Sequence, residues 1–338
     1  MTSNTLYLKY RPASLEEIVG QEELVNVLKN SVEKDSVSHA YLFSGGRGTG
    51  KTTTARAFAK ALGIHKDDIL ELDAASNNGV EEVRNIIESA NTLPYFSKYK
   101  MYIFDEVHMF SKSSFSVLLK TFEEPPTHMI FVLCTTDPEK IPDTVLSRCT
   151  KFNLKSPSQE TLAKYLSSVC KKEEVNVDKE AVNLIALSGD GSYRDSLSNL
   201  QKVLSFEEKK YTEEFVAKVL GVPQLSAIFD YLKALDGIEK PEKGIEVLKK
   251  LEEQSIEPKL FSKELTYFAR IVLLARHKLI NEKEISENYG LHILEFITEF
   301  MKNKSPKINS IMLAKIIEAE HISKNSSLPF LTYELLLL

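Results

Sequence analysis

The stretch Tyr41-Leu42-Phe43-Ser44-Gly45-Gly46-Arg47-Gly48-Thr49-Gly50-Lys51-Thr52 decides the fold of this chain. From Gly45 to Thr52 it follows the pattern G-x-x-x-x-G-K-T. The apolar residues 41–43 predict a short strand before the loop, and residues 53–62 predict a helix after it that Gly63 ends. Glycines let successive backbone N–H groups point at an anion, and the positive end of the helix dipole adds to the attraction. The stretch therefore predicts a loop that binds a nucleoside triphosphate.

Two residues of this loop have distinct predicted roles. Lys51 is predicted to reach the β- and γ-phosphates, and the hydroxyl of Thr52 is predicted to ligate Mg²⁺. The predicted nucleotide contacts of the loop and the helix start are Gly45, Gly46, Arg47, Gly48, Thr49, Gly50, Lys51, Thr52 and Thr53.

Composition indicates an ordinary globular protein. The chain has 338 residues, 43% of them hydrophobic and 27% charged, which suits two or three domains. Its net charge of −5 argues weakly against nucleic acid as a partner. Cys134, Cys149 and Cys170 are widely spaced and predict reduced thiols rather than disulfides or zinc ligands. The sequence shows neither a signal region nor a run of about 18 apolar residues, so we expect a soluble, cytoplasmic protein with no membrane partner.

Apolar runs at regular intervals predict a parallel sheet. After the strand at 41–43, further strands are predicted at 69–73, 100–105 and 129–135, with a short fifth around Phe152. Helical segments separate these runs, as parallel connections require, and the runs do not alternate, which suits a sheet covered on both faces. Residues 6–12 are predicted to form an extended arm, and a helix is predicted from near Gln21.

The strand pattern stops after Pro157, which predicts three domains. Residues 1–156 are predicted to form the nucleotide-binding α/β domain and residues 157–221 a small helical domain. Residues 222–338 are predicted to form a larger helical domain, with breaks near Gly237, Pro258, Asn281 and 305–306.

The third predicted strand ends in two carboxylates, Asp105 and Glu106. The carboxyl ends of parallel strands form the edge of the sheet where ligands bind. Asp105 is predicted to hold Mg²⁺ together with Thr52, and Glu106 to polarise the attacking water. Such a pair can also be a solvated start of a loop, but the phosphate loop upstream favours the catalytic interpretation. His108 is interpreted as structural or as part of a relay, because it lacks partners at metal-ligand spacing.

Three further residues are candidates for contact with the nucleotide. Thr136 follows the fourth predicted strand and is placed to sense the γ-phosphate, although threonine is also simply common in strands. Arg148 suits charge in a transition state, and the sequence leaves open whether it serves its own site, a neighbour's site or a surface ion pair. Arg194 begins a helix of the second predicted domain and is able to reach back to the nucleotide, or to form an ion pair at the helix start.

Eight short motifs together resemble one protein family. They are Tyr10-Arg11-Pro12, Val19-Gly20-Gln21, Leu72-Asp73-Ala74-Ala75-Ser76, Asp105-Glu106-Val107-His108-Met109, Leu118-Leu119-Lys120-Thr121-Phe122-Glu123-Glu124-Pro125-Pro126, Thr135-Thr136-Asp137-Pro138, Ser147-Arg148-Cys149 and Gly191-Ser192-Tyr193-Arg194-Asp195. They resemble the bacterial DNA polymerase III gamma/tau subunit family, the AAA+ ATPases of the clamp loader. The resemblance is dense from about residue 6 to residue 200. It implies an AAA+ α/β domain with a five-stranded parallel sheet, a small helical lid domain and an all-α collar domain.

The resemblance also implies roles for single residues. Lys51 and Thr52 match the Walker A positions, and Asp105 and Glu106 the Walker B positions. By the same resemblance, Thr136 is the first sensor, Arg194 the second, and Arg148 an arginine finger that acts in trans. The implied adenine-pocket residues are Arg11 and Pro12, and the implied DNA-facing residues are Ser111 and Lys120. Lys112 is a further DNA-binding candidate on its charge alone, although most lysines are simply solvated.

The implied ligands are ATP and Mg²⁺. The implied partners are the delta and delta-prime subunits of the clamp loader, further copies of this chain, the beta sliding clamp and primed DNA. ATP binding would open the clamp, and hydrolysis would leave it closed on the DNA.

The sequence departs from the family in two places. Relatives usually carry four zinc-binding cysteines in the interval that corresponds to residues 63–68. This chain has no cysteine there, which predicts that it binds no zinc. Asn77 and Gly79 stand at positions that are often basic in relatives.

Four other functions are considered. A noncatalytic scaffold like delta-prime would lack Lys51, Thr52 and Glu106, which are present. A DExH helicase would carry Ser-Ala-Thr and paired-arginine motifs, and a branch-migration motor would end in a winged helix; neither pattern is found. A nucleotide-dependent assembly module without clamp loading remains open. No polymerase active site is predicted, because the sequence shows no metal-binding pair of carboxylates apart from that of the ATPase site.

Overall fold

A computed structural model of the chain describes residues 5–90, 92–289, 291–323, 326 and 328–338. The chain divides into two compact units. Unit 1 comprises the residues up to Pro157 together with Gly191–Arg194, and unit 2 comprises Ser158–Asp190 together with Asp195–Leu338.

Unit 1 is built on a five-stranded sheet in which every neighbouring pair is parallel. The strands are β1 Ala40–Gly45, β2 Ile69–Asp73, β3 Lys100–Asp105, β4 Met129–Thr135 and β5 Thr150–Leu154. Their order across the sheet is β2-β3-β4-β1-β5. The predicted parallel sheet of five strands is confirmed. This order brings the carboxyl ends of β3, β4 and β1 side by side.

Helices cover both faces of this sheet. They are α1 Leu6–Lys9, α2 Glu22–Glu33, α3 Lys51–Ala61, α4 Val80–Ala90, α5 Lys112–Glu123 and α6 Asp143–Leu146. Single 3₁₀ turns form at Leu15–Glu17, Lys66–Asp68, Val107–Met109 and Pro138–Lys140. On one face, Phe58 of α3 packs with Phe43 and Val132, and on the other, Leu118 of α5 packs with Phe131. Because successive strand residues point to opposite faces, the continuous apolar runs supply two cores.

The prediction of an extended arm at residues 6–12 is wrong. Residues Leu6–Lys9 form a one-turn helix, closed by hydrogen bonds from Lys9 N to Thr5 O and from Tyr10 N to Leu6 O. The side chain of Leu6 is buried, which favours this local turn over an extended segment. Pro12 limits the turn, because the residue before a proline is disfavoured in the helical conformation.

In unit 2 every described element longer than an isolated bridge is a helix. The helices are α7 Gln159–Lys172, α8 Lys179–Ser188, α9 Tyr193–Leu204, α10 Glu213–Leu220, α11 Leu225–Leu235, α12 Pro241–Glu253, α13 Pro258–Arg276, α14 Glu282–Tyr289, α15 Leu291–Met301, α16 Ser310–Ser323 and α17 Leu331–Leu337. The first two residues of α9 belong to unit 1. A large apolar core joins α11–α17, with Phe229, Phe268 and Tyr333 fully buried in it. The predicted boundary near residue 221 coincides with Gly221, which ends α10 in the left-handed conformation. The separation into lid and collar remains a prediction.

Among the described residues, no single helix has the length and apolar composition needed to cross a membrane, although the bent pair Glu213–Leu220 and Leu225–Leu235 meets that test jointly.

Candidate nucleotide site

The loop after β1 has a backbone that only glycine adopts easily. Gly48 and Gly50 have φ of +69° and +100°, which most side chains disfavour. Gly50 is the residue that precedes the first turn of α3, so the helix begins at Lys51, two residues earlier than the sequence predicted. Lys51, Thr52 and Thr53 consequently lie in the first turn of α3, next to the positive end of its dipole.

Gly48 is also the point where this loop contacts the start of α9. The N–H of Tyr193 donates to the Gly48 carbonyl at 3.1 Å. A Cβ atom at Gly48 would lie only 1.9 Å from the hydroxyl oxygen of Ser192. The loop and residues 192–193 therefore fit together only with glycine at this position.

The ammonium group of Lys51 points into the loop. The residue is buried, and its Nζ donates to the carbonyls of Gly45 at 3.0 Å and Gly46 at 2.9 Å. Burial lowers the pKa of Lys51 from its ordinary value, and the negative charges of Glu106 and Asp105 oppose that shift. A concave loop with inward N–H groups and a lysine at its centre fits a triphosphate. Arg47 lies exposed at the tip of the loop.

Thr52 and Asp105 come together across the sheet. Their side chains come from α3 and the end of β3, and Thr52 Oγ1 donates to Asp105 Oδ2 at 2.8 Å. A hydroxyl and a carboxylate are the oxygen ligands that Mg²⁺ prefers, so this pair fits the ion that accompanies a nucleotide. Within the described residues, no group of three or more His, Cys, Asp or Glu side chains is arranged to hold a metal. The expected absence of zinc stays a prediction.

Glu106 is held next to this pair in a left-handed conformation, with φ of +48°. Its carboxylate accepts hydrogen bonds from the Thr136 hydroxyl at 2.9 Å and the Thr136 N–H at 3.3 Å. Nδ1 of His108 lies 3.4 Å from the same carboxylate and 3.0 Å from the buried hydroxyl of Thr135. The predicted base and the predicted first sensor are thus in direct contact, and His108 contacts both strand ends.

The N-terminal segment reaches this site at several points. Nε of Arg11 donates to Thr53 Oγ1 at 3.1 Å. The hydroxyl of Tyr193 donates to the Val19 carbonyl at 3.0 Å. The guanidinium of Arg194 lies over the ring of Tyr7, 5.2 Å from its centre. Burial lowers the pKa of Arg11, and the positive charges of Arg56 and Arg194 add to this effect.

Arg148 lies at the opposite edge of the sheet. It precedes β5, whose first residue, Thr150, pairs with Tyr41 near the amino end of β1. Its guanidinium donates to Glu123 Oε1 at 3.0 Å and to the Thr144 carbonyl at 2.8 Å. A strand rises about 3.3 Å per residue, so the step from Tyr41 to Gly45 covers about 13 Å. Arg148 is therefore remote from the phosphate loop of its own chain.

The three predicted DNA-facing residues lie on α5 and at its start. The hydroxyl of Ser111 accepts the N–H of Ser114 at 3.1 Å and caps the helix. Lys112 and Lys120 are exposed, and together with Ser116 they fall on one face at the spacing of four residues. The hydroxyl of Ser111 is therefore occupied as a helix cap, whereas Lys112 and Lys120 lie on one exposed face of α5.

Several contacting residues have no local sequence signal. Ser192 and Tyr193 meet Gly48, and Tyr7 meets Arg194, across more than a hundred residues of sequence. Thr135 precedes the predicted sensor but points to His108. The Gly191-Ser192 dipeptide next to Arg194 is the only pattern that points toward this group of contacts. Pro12, the other predicted adenine-pocket residue besides Arg11, follows α1 and limits the length of that helix.

Comparison with known proteins identifies the family. A family sequence model described as DNA polymerase III, delta subunit, matches residues 20–79 and 63–158. A second, described as DNA polymerase III clamp loader subunit, ATPase lid domain, matches residues 161–210. The DNA polymerase III subunit gamma of Buchnera aphidicola subsp. Schizaphis graminum is 38% identical over 256 residues, which are 70% of this chain and 70% of that protein. The chain belongs to the DNA polymerase III gamma/tau family.

Longer relatives of the gamma/tau family match in the same way. The DNA polymerase III subunit tau of Bacillus subtilis is 36% identical over 295 residues, which are 81% of this chain and 52% of that protein. The chain therefore spans about half the length of that relative. Among solved structures, the Thermotoga maritima RuvB Holliday junction branch migration motor matches with a TM-score of 0.54 and 20% identity, over 67% of this chain and 79% of that one. At that identity the likeness concerns the fold alone, and it agrees with the predicted AAA+ fold.

Proposed function

We propose that this chain is the ATP-hydrolysing subunit of a bacterial clamp loader. The observation that carries the proposal is the hydrogen bond from Thr52 to Asp105, which joins the phosphate loop to a strand end where Glu106 and Thr136 are also in contact. Membership of the gamma/tau family supports the same reading. The motifs at Gly45–Thr52 and Asp105–Glu106 are those of an ATPase rather than of a noncatalytic scaffold.

Each site residue has a chemical role in this proposal. The loop N–H groups and Lys51 bind the phosphates of ATP, and Arg11 and Pro12 lie toward the adenine. Thr52 and Asp105 hold Mg²⁺, which when bound offsets the charge of the phosphates. Glu106 orients and polarises the attacking water, and Thr136 fixes the direction of that carboxylate. Arg194 binds the γ-phosphate.

Arg148 acts in trans in this proposal. It precedes β5, whose first residue pairs with Tyr41 near the amino end of β1, and about 13 Å of β1 separate Tyr41 from the loop end at Gly45. Its partner Glu123 is at the end of α5, at the same edge. A guanidinium that is paired with Glu123 at this edge supports completion of a neighbouring subunit's site rather than its own. This chain then needs further copies of itself or the delta and delta-prime subunits next to it.

The remaining parts of the proposal concern partners. ATP binding opens the beta sliding clamp, and hydrolysis on primed DNA releases it closed. Residues 157–221 act as the lid and residues 222–338 as the collar.

Lys112 and Lys120 supply positive charge toward DNA phosphates. The loop between α4 and β3 exposes Leu93, Tyr95 and Phe96, each at least 70% exposed, and so offers an apolar surface to a protein partner. We place the protein in the cytoplasm, where DNA replication occurs.

Steady-state ATP hydrolysis tests this proposal. We would mix the chain with delta, delta-prime and clamp proteins, with and without primed DNA, and compare it with Glu106→Gln. The expected result is strong stimulation by clamp and primed DNA together, and a loss of about 10²–10⁴ in rate with Glu106→Gln at unchanged ATP binding.

Two results would contradict the proposal. Equal rates for Glu106→Gln and the unchanged chain would remove Glu106 from catalysis. ATP binding without stimulation by clamp or DNA would favour the second candidate, a nucleotide-dependent assembly module.

A further inference from the structure

The first helix of the chain contacts the second residue of α9. The guanidinium carbon of Arg194 lies 5.2 Å from the centre of the Tyr7 ring, within the range of a cation–π contact. Tyr7 is half-buried and belongs to the one-turn helix α1, in which the side chain of the preceding residue, Leu6, is buried. The ring is therefore an ordered surface for the guanidinium, because its own helix is anchored.

Two other contacts fix the backbone beneath Arg194. The N–H and the hydroxyl of Tyr193 donate to the Gly48 and Val19 carbonyls. Ser192 is buried against Gly48. Consequently the Cα of Arg194 is held beside the phosphate loop, and the Tyr7 ring is one of the contacts that set the direction of its long side chain.

The charges around Arg194 make this direction matter. The positive charges of Arg56 and Arg194 and the negative charges of Glu71 and Asp105 all act on Arg11. Arg56 is paired with Glu71, and the like charges of Arg11 and Arg194 tend to separate these two guanidinium groups. The electron-rich face of an aromatic ring attracts a cation and opposes that tendency.

We propose that Tyr7 is a positioning residue for Arg194 and thereby sets the preference of the site for a nucleoside triphosphate over a diphosphate. This inference rests on the proposed role of Arg194 at the γ-phosphate. An arginine side chain loses rotamer freedom when it binds a phosphate, and a ring that restricts it beforehand reduces that loss. A diphosphate lacks the γ-phosphate, so its binding is independent of Tyr7.

Binding measurements on the full chain test this inference. All proteins carry Glu106→Gln to suppress turnover, and the dissociation constants of Mg²⁺-ATP and Mg²⁺-ADP are measured by calorimetry. Tyr7→Leu is compared with the matched variant Tyr7→Phe, which keeps the ring. Tyr7→Leu should weaken ATP binding about two- to fivefold and leave ADP binding unchanged, and Tyr7→Phe should change neither. Combined with Arg194→Ala, Tyr7→Leu should have no further effect.

The outcomes separate this inference from the function on which it rests. If Arg194→Ala weakens ATP binding alone, but Tyr7→Leu weakens ATP and ADP equally or not at all, the role of Tyr7 is refuted and the site assignment stands. If Arg194→Ala leaves the ratio of ATP to ADP affinity unchanged, the assignment of Arg194 fails, and this inference fails with it. Circular dichroism of each variant checks that it is folded.

Discussion

At Gly48 the phosphate loop and residues 192–193 approach more closely than any side chain allows. The residue has φ of +69°, and an added Cβ would lie 1.9 Å from Ser192 Oγ and 2.8 Å from Ser192 Cβ. The contact involves the backbone as well, through the Gly48 carbonyl and the Tyr193 N–H. One glycine thus serves both the loop conformation and its junction with residues 192–194.

Gly48→Ala should lower the free energy of unfolding by about 2–4 kcal/mol and abolish ATP binding. The matched control is Gly63→Ala, because Gly63 has φ of +70° and nothing within 4 Å of its added Cβ. This control should cost only the backbone strain of about 1 kcal/mol. Urea denaturation measures both, and equal costs would show that the contact with Ser192 is unimportant.

Among the elements of unit 1, the loop between α4 and β3 is held by the buried carboxylate of Asp68. Asp68 is buried, and its two oxygens accept the N–H groups of Tyr95 at 2.6 Å and Phe96 at 2.9 Å. Burial acts to raise the pKa of Asp68, but the hydrogen bonds from Tyr95, Phe96 and Ser97 together outweigh it, so the pKa lies below its ordinary value of 3.8.

Asp68→Asn should destabilise the chain by about 1–3 kcal/mol at pH 7, because an amide cannot replace a carboxylate that accepts through both oxygens. The folded-state pKa is depressed, so this contribution is present above pH 3.8 and is lost as pH falls through the folded-state pKa. Thermal melts from pH 7 to pH 3 should therefore show the variant and the unchanged chain converging at acid pH. Asp67→Asn, at an exposed neighbouring carboxylate, is the control. A difference in melting temperature that stays constant across this range would contradict the assignment.

In unit 2 a buried carboxylate joins three chain segments. Asp236 is fully buried and pairs with Arg276, and its Oδ1 accepts the N–H groups of Lys307 at 3.1 Å and Ile308 at 2.9 Å. The amide of Asn303 donates to its other oxygen at 2.8 Å. This group ties the ends of α11 and α13 to the segment between α15 and α16.

Arg276→Met should lower the free energy of unfolding by about 3–5 kcal/mol, since it leaves the buried charge of Asp236 without its partner. Lys243→Met is the matched control, because Lys243 in the first turn of α12 forms an exposed pair with Glu239, which precedes the helix, and its loss should change stability little. Similar unfolding midpoints for the two variants in urea would mean that the buried pair contributes no more than a surface pair.

For the whole molecule, the position of Arg148 predicts that two inactive chains complement each other. Lys51→Ala lacks a working phosphate loop but keeps Arg148, and Arg148→Ala has the reverse defect. Each alone with the other clamp-loader proteins should be slower by about 10³-fold or more. Their mixture should hydrolyse ATP well above the sum of the two rates, because an intact loop then meets a neighbour's Arg148.

The control for this experiment is the double variant Lys51→Ala/Arg148→Ala, which should give no rescue of Arg148→Ala. A mixture of the single variants that is no faster than the sum of its parts would mean that Arg148 does not serve a neighbouring site.

Local sequence patterns predicted much of this structure. The strands predicted at 69–73, 100–105 and 129–135 match β2, β3 and β4, and the parallel sheet is confirmed. The extended arm at 6–12 failed because burial of Leu6, a tertiary contact, favours a helical turn. For the site, the sequence pointed to Lys51, Thr52, Asp105 and Glu106. In the structure Thr52 contacts Asp105, Glu106 contacts Thr136, and Lys51 donates to the loop carbonyls of Gly45 and Gly46.

By itself the sequence determined the phosphate loop, the parallel character of the sheet and the family, because each depends on residues within a few positions of one another or on motifs read along the chain. Tertiary structure alone decided the strand order β2-β3-β4-β1-β5, which inserts β4 between the loop and Asp105. It also decided that Gly191–Arg194 packs with unit 1 and that Arg148 lies at the far edge of the sheet. These outcomes depend on which apolar faces pack together across a hundred residues or more, and no local spacing encodes that choice.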